Sequence, residues 1–349
     1  MTLCPARLEP VFSPRPWGAL SLAPFFPEKS NLTEPIGEAW MTGNECVFAG
    51  GPFGGRMLGE AWPEMGTEWA GTSVKRAGIF PILVKFIFSE EKLSVQVHPD
   101  DEYASKHEAA AGGVGKTEMW YAIKARPGAE VLAGLKPGVT AEKFRQAIAD
   151  GTAEDCLEHV RLNEGEAIFI PARTAHTIGP GLVLCEIQQH SDLTYRVFDY
   201  NRRDAQGRTR ELHIDKAMDV MRFGKQTSGK TESVVLETNA ATGTFLVICR
   251  YFATEKWKLS GDISLTTSPE RFELLITLEG SGEIRSKSGP LKYGRAQTWL
   301  VPAALGEYSL KTETPTTLLR TYPPGESVDL EKFLAGRGVK EENWPRLIR

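Results

Sequence analysis

A histidine and a glutamine lie close together in residues 93–101. Successive side chains of an extended strand alternate between two faces, so Gln96 and His98 project from the same face as Ser94. Pro99 lacks a backbone donor and holds the preceding residue extended, which ends the strand there. An imidazole and an amide fixed side by side on one strand can begin a metal site. The alternative interpretation is the polar, solvent-facing side of an ordinary strand.

Two further residues complete a candidate ligand set. Glu118 shares a face with Lys116 on the predicted strand 115–123, and His176 begins another strand after a proline-limited loop. Imidazoles, a carboxylate and an amide oxygen suit a borderline cation such as zinc. Two histidines and a carboxylate also suit non-haem iron, so the identity of the metal stays open at this point. Any one of these residues could be structural, but their joint placement beside strand ends favours a metal site.

The bulk composition excludes several classes of protein. The chain has 349 residues, enough for about two domains with a substantial core. Its formal net charge of -4 is unlike that of a general nucleic-acid or membrane-surface binder. The sequence has no apolar run near the roughly 20 residues that cross a bilayer, and residues 1–18 lack the apolar core of a signal peptide. Five scattered cysteines without a Cys-x-x-Cys pair indicate reduced thiols, and we therefore expect a cytoplasmic protein.

Short apolar runs separated by glycine and proline predict a mainly β protein. In the first part of the chain the predicted strands include 82–88, 165–170, 182–188 and 194–198. Capping residues and apolar spacing predict three short helices, at the start of 101–113 and at 140–149 and 152–160. Regularly spaced short strands are typical of an antiparallel barrel or jelly roll.

The second part of the chain carries a degenerate copy of the first. All six histidines lie at or before residue 213. Pro171 is followed by His176 and Pro302 by Glu307 at the same spacing, each after an apolar strand. This pattern predicts two barrels with chemistry only in the first. We expect residues 1–230 to form an N-terminal region with the metal-binding barrel, ending in a charged connecting segment at 201–230. Residues 231–349 are expected to form a second barrel without a metal site.

Four motifs together resemble one enzyme family. The spacing of 165–176 is similar to the second motif of cupins, with Arg173 where that motif usually has glycine. The full set resembles type I mannose-6-phosphate isomerases, especially their shorter bacterial form. The matching motifs are residues 94–100, 115–121, 171–176 and 191–200. The long helical insertion of larger family members is missing, because only the segment 140–160 interrupts the first barrel.

The resemblance implies a fold and a set of site residues. The implied fold is mainly β, with two cupin-type (jelly-roll) β-barrels and a few short helices. One zinc ion per chain is implied, held by Gln96, His98, Glu118 and His176. The catalytic residues implied are Arg196 together with Lys116, Glu186 and Asp192, and the proton-transfer roles of the last three stay open. The positions that match substrate-phosphate binding are Ser94 and Lys85. Arg15 and Glu38 could also reach the site.

The chemistry of sugar isomerisation is consistent with these residues. An aldose becomes a ketose when a proton moves between adjacent carbons through an enediol(ate), and negative charge grows on oxygen. A metal and a fixed guanidinium stabilise such charge where it develops, and Arg196 stays protonated at any working pH. The alternative interpretation of Arg196 is a surface salt bridge with Asp199.

We therefore expect an isomerase that interconverts mannose 6-phosphate and fructose 6-phosphate. A non-catalytic cupin that binds a sugar phosphate is the main alternative, although a binder has no need of a base and an arginine beside a metal. An iron-dependent oxygenase is disfavoured because Gln96 would occupy a coordination position that oxygen chemistry needs open. The expected partner is a small sugar phosphate, with neither nucleic acid nor membrane, and the sequence leaves monomer or homodimer undecided.

Overall fold

The computed structural model describes residues 3–74, 78–203, 207–224, 229–238, 241–325 and 328–349. The strands up to residue 230 are β1 (Ala6–Glu9), β2 (Val11–Ala19), β3 (Ile36–Trp40), β4 (Val47–Phe48), β5 (Ile82–Ser89), β6 (Val95–Val97), β7 (Glu118–Ala125), β8 (Glu130–Leu135), β9 (Leu157–Arg161), β10 (Ala167–Ile170), β11 (His176–Ile178), β12 (Leu182–Gln189), β13 (Tyr195–Phe198) and β14 (Gly229–Lys230). The later strands are β15 (Val234–Thr238), β16 (Ala241–Ile248), β17 (Ala253–Leu259), β18 (Ile263–Thr266), β19 (Glu273–Glu279), β20 (Gly282–Ser286), β21 (Gly289–Tyr293), β22 (Thr298–Val301), β23 (Glu307–Thr312) and β24 (Thr316–Tyr322).

Helices are short and lie between or after the strands. The α-helices are α1 (Leu58–Ala61), α2 (Thr67–Ala70), α3 (Asp101–His107), α4 (Ala141–Ala149), α5 (Ile214–Val220), α6 (Leu330–Gly336) and α7 (Trp344–Leu347). The 3-10 turns are Pro27–Lys29, Gly51–Phe53, Trp62–Glu64, Ala109–Ala111, Ala153–Cys156 and Glu341–Asn343. Within the described ranges, no helix has the length and apolar character needed to cross a membrane.

The strands form four sheets that stack in layers. The first half has a seven-stranded sheet, β14-β10-β7-β12-β5-β3-β2, and a five-stranded sheet, β13-β6-β11-β8-β9. The second half has an eight-stranded sheet, β15-β16-β17-β24-β19-β22-β1-β4, and a four-stranded sheet, β18-β23-β20-β21. The protein is therefore mainly β, as predicted.

Alternation along the strands of the seven-stranded sheet gives it two apolar faces. On β7, Trp120 and Ala122 join a core with Val131 of β8, which lies in the five-stranded sheet. Met119 of the same strand faces the other way, into a core shared with Leu274 of β19 in the eight-stranded sheet. Because successive side chains point to opposite faces, one strand can contribute to both cores. The layers therefore pack in the order five, seven, eight and four strands, with the last pair around its own core.

The two halves repeat one strand order. The run β10-β7-β12-β5 of the seven-stranded sheet corresponds to β22-β19-β24-β17 of the eight-stranded sheet. The run β6-β11-β8-β9 corresponds in the same way to β18-β23-β20-β21. The internal repeat predicted from Pro171 and Pro302 is thus matched by eight strands in each half.

Closed barrels are not confirmed. Among the described residues, backbone pairing leaves all four sheets open, because no ladder joins the edge strands of one sheet to those of its partner. Each half is a sandwich of two sheets in this respect. The domain boundary at residue 230 stays a prediction, and β1 pairs with β22 in the sheet of the second half.

The helix predictions were correct in two places and wrong in the third. Helix α4 begins after Thr140, whose hydroxyl accepts from the backbone N–H of Lys143 (3.3 Å), and α3 begins at Asp101 as expected. The predicted helix at 152–160 is instead the 3-10 turn Ala153–Cys156 followed by β9, because β9 pairs with β8 and a local capping signal cannot reveal that partner. His159 therefore lies on a strand, with its side chain 46% exposed. In the connecting segment, residues 204–206 and 225–228 lie outside the described residues, and the rest includes α5 and β14.

Candidate metal centre and active site

Three strand ends bring the candidate metal ligands together. Gln96 of β6 lies directly across from His176 of β11, and His98 follows two residues after Gln96, directly after the end of β6. Glu118 begins β7 and pairs with Ile170, the last residue of β10 before the loop to His176. All of these chain segments face the space between the seven- and five-stranded sheets. The ligand set is thus assembled by register, since a shift of one residue would turn each side chain to the other face.

The three acidic or imidazole members form a compact buried group. One ligand atom from each of His98, Glu118 and His176 lies within 4.8 Å of the others. The Nε2 atom of His98 is 3.7 Å from one oxygen of Glu118, and that of His176 is 3.4 Å from the other. Such separations leave room for one cation between the three side chains.

Backbone carbonyls orient both imidazoles. The Nδ1 of His98 donates to the carbonyl oxygen of Leu193 (2.7 Å), and the Nδ1 of His176 donates to that of Thr174 (2.9 Å). A carbonyl oxygen can only accept, so each Nδ1 carries the proton and each Nε2 keeps a lone pair. This arrangement is typical of metal-binding histidines.

Burial keeps both imidazoles neutral. Burial, followed by the nearby charge of Lys116, lowers the pKa of His176 to about 4. The same two causes, with a smaller effect of the neighbouring His176, lower the pKa of His98 well below its ordinary value. Neutral imidazole is the form that binds a metal, so both residues are ready as ligands at neutral pH.

One oxygen of Glu118 shows that the residues fit a cation. Its side chain is completely buried, and its Oε1 has no hydrogen-bond partner among the described residues. An unpaired buried carboxylate oxygen is costly, and a metal ion would satisfy it. The amide nitrogen of Gln96 lies 3.3 Å from His176 Nε2, so rotation of that amide would present its oxygen to the same point.

A row of charged side chains continues from the metal ligands across the seven-stranded sheet. Lys116 contacts Glu118 and lies 3.2 Å from His98 Nε2 and 3.8 Å from Glu186. Glu186 pairs across the strands with Lys85, whose Nζ is 3.9 Å from Glu186 and 3.2 Å from Asp192. The structure therefore brings together four of the six residues that the sequence assigned to catalysis or phosphate binding.

Glu186, Lys85 and Asp192 in this row have perturbed pKa values. Burial raises the pKa of Glu186, although the two neighbouring ammonium groups oppose the effect. Burial acts to lower the pKa of Lys85, but the carboxylates of Glu38, Asp192 and Glu186 outweigh it and raise the pKa above its ordinary value. For Asp192, burial acts to raise the pKa, and the attraction of Lys85 and Lys116 leaves it lowered. Glu186 is thus the carboxylate in this row that gains a proton most readily.

Arg196 and Ser94 lie beside the row without joining it. Arg196 of β13 is directly across from Gln96, so the two side chains share a face. Its NH1 donates to the carbonyl oxygen of Glu211 (3.0 Å), and its Nε is buried without a hydrogen-bond partner among the described residues. Burial, followed by repulsion from Arg210, lowers its pKa. Ser94 is buried, and no described contact joins it to the ligands.

The carboxylate of Asp199 binds Arg202 and Arg210. It accepts from Arg210 Nε (2.7 Å) and from Arg202 Nε (3.1 Å). The salt bridge between Arg196 and Asp199, weighed as an alternative from sequence, is not among the described contacts. Arg196 is therefore available for another anion.

The sequence analysis did not identify two tryptophans and one pocket that lie beside the charged row. Lys85 lies over the ring of Trp40 at 4.3 Å, and Trp120 donates to Glu186 (2.9 Å). Trp40, Lys85, Glu186 and Trp120 lie in one line across four strands, a register that the sequence does not specify. Glu38, noted from sequence, accepts from Trp40 (2.8 Å) and from Arg15 (3.0 Å) and so extends the row.

An arginine-rich pocket adjoins the end of this row. It has a volume of about 620 Å³, and its charged lining residues are Arg15, Glu34, Glu91, Asp199, Arg202, Arg203 and Arg210. The connecting segment supplies most of the arginines, and their distance in sequence from the other motifs concealed them. The pocket offers more cationic than anionic side chains.

The loop before His176 departs from the cupin pattern in a specific way. Arg173, which stands where glycine is usual, has a φ of 72°, a left-handed conformation that side chains other than glycine rarely adopt. Its N–H donates to the carbonyl oxygen of His98 (2.7 Å), and its side chain donates to Val220 O (2.7 Å) and Asp100 (3.2 Å). The arginine thus holds the backbone conformation of glycine and adds side-chain bonds that glycine cannot make.

Two packed antiparallel sheets with two imidazoles and a carboxylate between them define the cupin class of proteins. Comparison with known families gives the same class. Residues 6–123 match the family profile "Phosphomannose isomerase type I, catalytic domain", and residues 241–323 match "Mannose-6-phosphate isomerase, cupin domain".

Individual relatives are similar to this protein over most of its chain. The chain is 35% identical over 315 residues to mannose-6-phosphate isomerase ManA of Bacillus subtilis, covering 89% of this chain and 97% of the relative. It is 37% identical over 257 residues to mannose-6-phosphate isomerase of Streptococcus mutans, covering 72% and 78%. The crystal structure of the mannose 6-phosphate isomerase from Bacillus subtilis superposes with a TM-score of 0.83 at 30% identity, covering 91% of this chain and 99% of that one. This chain belongs to the type I mannose-6-phosphate isomerase family.

Proposed function

We propose that this protein is a zinc-dependent isomerase that interconverts mannose 6-phosphate and fructose 6-phosphate through an enediol(ate). The observation that carries the proposal is the buried His98, Glu118 and His176 group next to a row of lysines and carboxylates. A protein that only bound a sugar would not need this row. Membership of the isomerase family supports the same conclusion.

The metal would be held by His98, Glu118 and His176, with Gln96 as a fourth ligand. Two neutral imidazoles, a carboxylate and an amide form a donor set suited to zinc, and the amide makes the set less suited to iron oxygen chemistry. When bound, the ion supplies Lewis-acid stabilisation of negative charge on the sugar oxygens.

The proton is moved by the row beside the ligands. We assign this role to Glu186 with Lys116, because the two groups are 3.8 Å apart and burial raises the pKa of Glu186, which favours its gaining a proton. Asp192 acts through Lys85, which it binds at 3.2 Å. In the forward direction, the base takes the proton from C2 of the aldose and returns it to C1, while the hydroxyl proton of O2 passes to O1, so that C2 becomes the carbonyl carbon.

Arg196 stabilises the enediolate. Its Nε has no described partner, and its guanidinium shares a face with Gln96 at the candidate metal site. A guanidinium held in place before reaction can stabilise charge that develops only in the transition state.

The substrate phosphate has two candidate sites. Lys85 and Ser94 match phosphate-binding positions of the family, and that assignment stays a prediction. Three carboxylates already surround Lys85, which leaves it little attraction for an anion. The arginine-rich pocket presents Arg15, Arg202 and Arg210 around a single buried carboxylate, Asp199, and we favour it for the phosphate.

We propose a cytoplasmic location, which the five free cysteines support, because thiols stay reduced in that compartment. The partner is the small sugar phosphate itself, and the oligomeric state stays open.

An assay of the purified protein tests the proposal. Mannose 6-phosphate is incubated with the protein, fructose 6-phosphate formation is followed, and bound metal is measured on the same sample. We expect turnover and about one zinc per chain. The double variant His98→Ala/His176→Ala should lose both, because removal of two ligands weakens metal binding. Stoichiometric metal in the folded double variant would refute the assigned site.

A further inference from the structure

The second half keeps a polar cavity at the position of the metal site. In the first half Glu118 pairs with Ile170, and in the second Glu273 pairs with Val301. Both apolar residues precede a proline, so Glu273 is the counterpart of Glu118. The same comparison of ladders relates Glu186 to Arg320 and Lys85 to Glu255.

The histidine positions are occupied by other residues. Gln96 lies opposite His176, and Thr266 lies opposite Glu307. Thr266 therefore corresponds to Gln96, and Ser268, two residues later, corresponds to His98. Thr266, Ser268, Glu273 and Arg320 line one cavity of about 590 Å³. The cavity of the metal site thus has an equivalent in the second half, with hydroxyl groups at the positions of Gln96 and His98 and carboxylates at those of Glu118 and His176.

The charges at the base of this cavity are balanced without a metal. Arg320 donates from Nε to Glu273 (2.9 Å), and its NH1 lies 3.6 Å from Glu255. Tyr308 donates to Glu273 (2.9 Å), and Arg337 also binds Glu255. A guanidinium fills the electrostatic role that a cation has in the first half, so this cavity is not a metal site.

One arginine of the lining retains unused donors. The side chain of Arg271 is 9% exposed, and its Nε and NH1 have no hydrogen-bond partner within the described residues. Its remaining nitrogen binds Glu270, whose side chain is 51% exposed. Phe333 lies 4.7 Å from its guanidinium carbon and supplies an apolar wall. Buried guanidinium donors are normally satisfied, so the unused ones point to an anion as partner. Glu270 can turn toward solvent to admit one.

We infer that this cavity binds a small hydroxylated organic anion without converting it. Arg271 receives the oxyanion, while Thr266, Ser268 and the carboxylate of Glu273 bind hydroxyl groups. Conversion is excluded because the positions of the metal ligands His98 and His176 are taken by Ser268 and Glu307. The inference concerns the second half and stands apart from the proposed function of the first.

Sorbitol 6-phosphate is a suitable probe, since it is a hydroxylated anion without the carbonyl group that isomerisation requires. Its binding to the full-length zinc-loaded protein is measured by calorimetric titration, beside titrations with sorbitol and with inorganic phosphate. We expect two sites per chain for sorbitol 6-phosphate. Arg271→Gln should weaken one of them roughly tenfold or more, because a charge-assisted hydrogen bond is lost, and leave turnover of mannose 6-phosphate unchanged.

Two further variants control the result. Arg285→Gln changes an exposed arginine paired with Glu283 (2.9 Å) outside the cavity, and it should keep both sites. Gly336→Leu adds a side chain at the cavity wall, where a Cβ meets no atom within 4 Å, and it should remove the second site even if Arg271→Gln does not fold. Binding of sorbitol 6-phosphate that is unchanged in both Arg271→Gln and Gly336→Leu would overturn the inference, whatever the number of sites in the parent. Turnover measured on the same samples tests the proposed function separately.

Discussion

At the scale of single residues, the candidate site depends on two imidazoles that folding keeps neutral. An imidazole whose pKa is lowered in the folded state binds fewer protons than it does in the unfolded chain. The pKa of His176 is about 4 in the folded state, against an ordinary value of 6.5. Between these two pH values the unfolded chain binds more protons, so lowering the pH favours unfolding. The stability that a neutral buried histidine retains above pH 6.5 is lost as the pH falls through that window.

The first prediction concerns this pH dependence in metal-free protein. We expect the free energy of unfolding to fall as the pH is lowered from about 6.5 to about 4, with a slope of up to about 1.4 kcal/mol per pH unit for each such histidine. His176→Gln should reduce the slope of the free energy of unfolding against pH by the contribution of one titrating histidine. The measurement is urea unfolding at several pH values. Identical profiles for parent and variant would contradict the assignment of a lowered pKa to His176.

The second prediction separates catalysis from binding at Arg196. Arg196→Ala should lower kcat about 10²–10³-fold, because the guanidinium acts on charge that exists only in the transition state. Its zinc content, melting temperature and KM should stay near those of the parent. Arg196→Lys should recover little, since an ammonium lacks the planar fork. A near-normal kcat in folded, zinc-loaded Arg196→Ala would show that the arginine is not catalytic.

The third prediction decides where the phosphate binds. Arg210→Gln should raise the KM for mannose 6-phosphate, because one phosphate contact is lost. The KM of this variant should also rise less steeply with salt concentration than the KM of the parent. Lys85→Met should change KM less, since its charge is already balanced by Glu38, Asp192 and Glu186. Arg145→Gln is the matched control, because Arg145 binds the exposed Asp215 (2.9 Å) outside the pocket. A large effect of Lys85→Met with normal Arg210→Gln kinetics would place the phosphate at Lys85 and Ser94.

At the scale of elements, the loop between β10 and β11 positions a metal ligand through an unusual arginine. A left-handed conformation costs roughly 1–2 kcal/mol for residues other than glycine. In Arg173 the bonds to Asp100, Val220 and the loop around His98 offset that cost. The fourth prediction is that Arg173→Ala destabilises the protein by about 1 kcal/mol more than Arg173→Gly, because both lose the side-chain bonds and only glycine avoids the strain. Thermal unfolding of the two variants measures the difference, and equal stabilities would indicate that the backbone of the loop relaxes.

The strands also show which parts of the structure could be predicted from the sequence and which could not. Strand alternation placed Gln96 and His98 on one face and aligned them with Glu118 and His176, because the period of a strand is a local property. The row from Trp40 through Lys85 and Glu186 to Trp120 was not predictable, since it depends on the register of four strands that are distant in sequence. Strand β9 was mistaken for a helix for the same reason, as its partner β8 is a non-local feature.

At the scale of the whole molecule, the two halves share a sheet and a hydrophobic core across the boundary predicted at residue 230. Strand β1 lies in the eight-stranded sheet of the second half, and Phe86 of the first half packs in one core with Leu274 of the second. Removal of either half would expose that core to water, and removal of the first half would also take from β22 its partner β1.

The fifth prediction follows from this shared core. Residues 231–349 expressed alone should not form a stable fold, and the intact chain should unfold in a single transition. Near-ultraviolet circular dichroism of the fragment and calorimetry of the whole protein provide the measurements. A fragment with native-like spectra and its own cooperative transition would instead establish residue 230 as the boundary of an independent domain.

The common strand order of the two sandwiches has a consequence for the history of the protein. Tandem duplication of one ancestral gene segment produces eight strands in the same order twice, and the two copies then diverge under different selection. One copy kept imidazoles between its sheets and a lysine opposite Glu186, whereas the other reversed the signs, with Glu255 opposite Arg320. Such a reversal is tolerated when both partners change, because the ion pair survives although the chemistry does not. The second sandwich thus keeps the strand order of the first without its two metal-binding imidazoles.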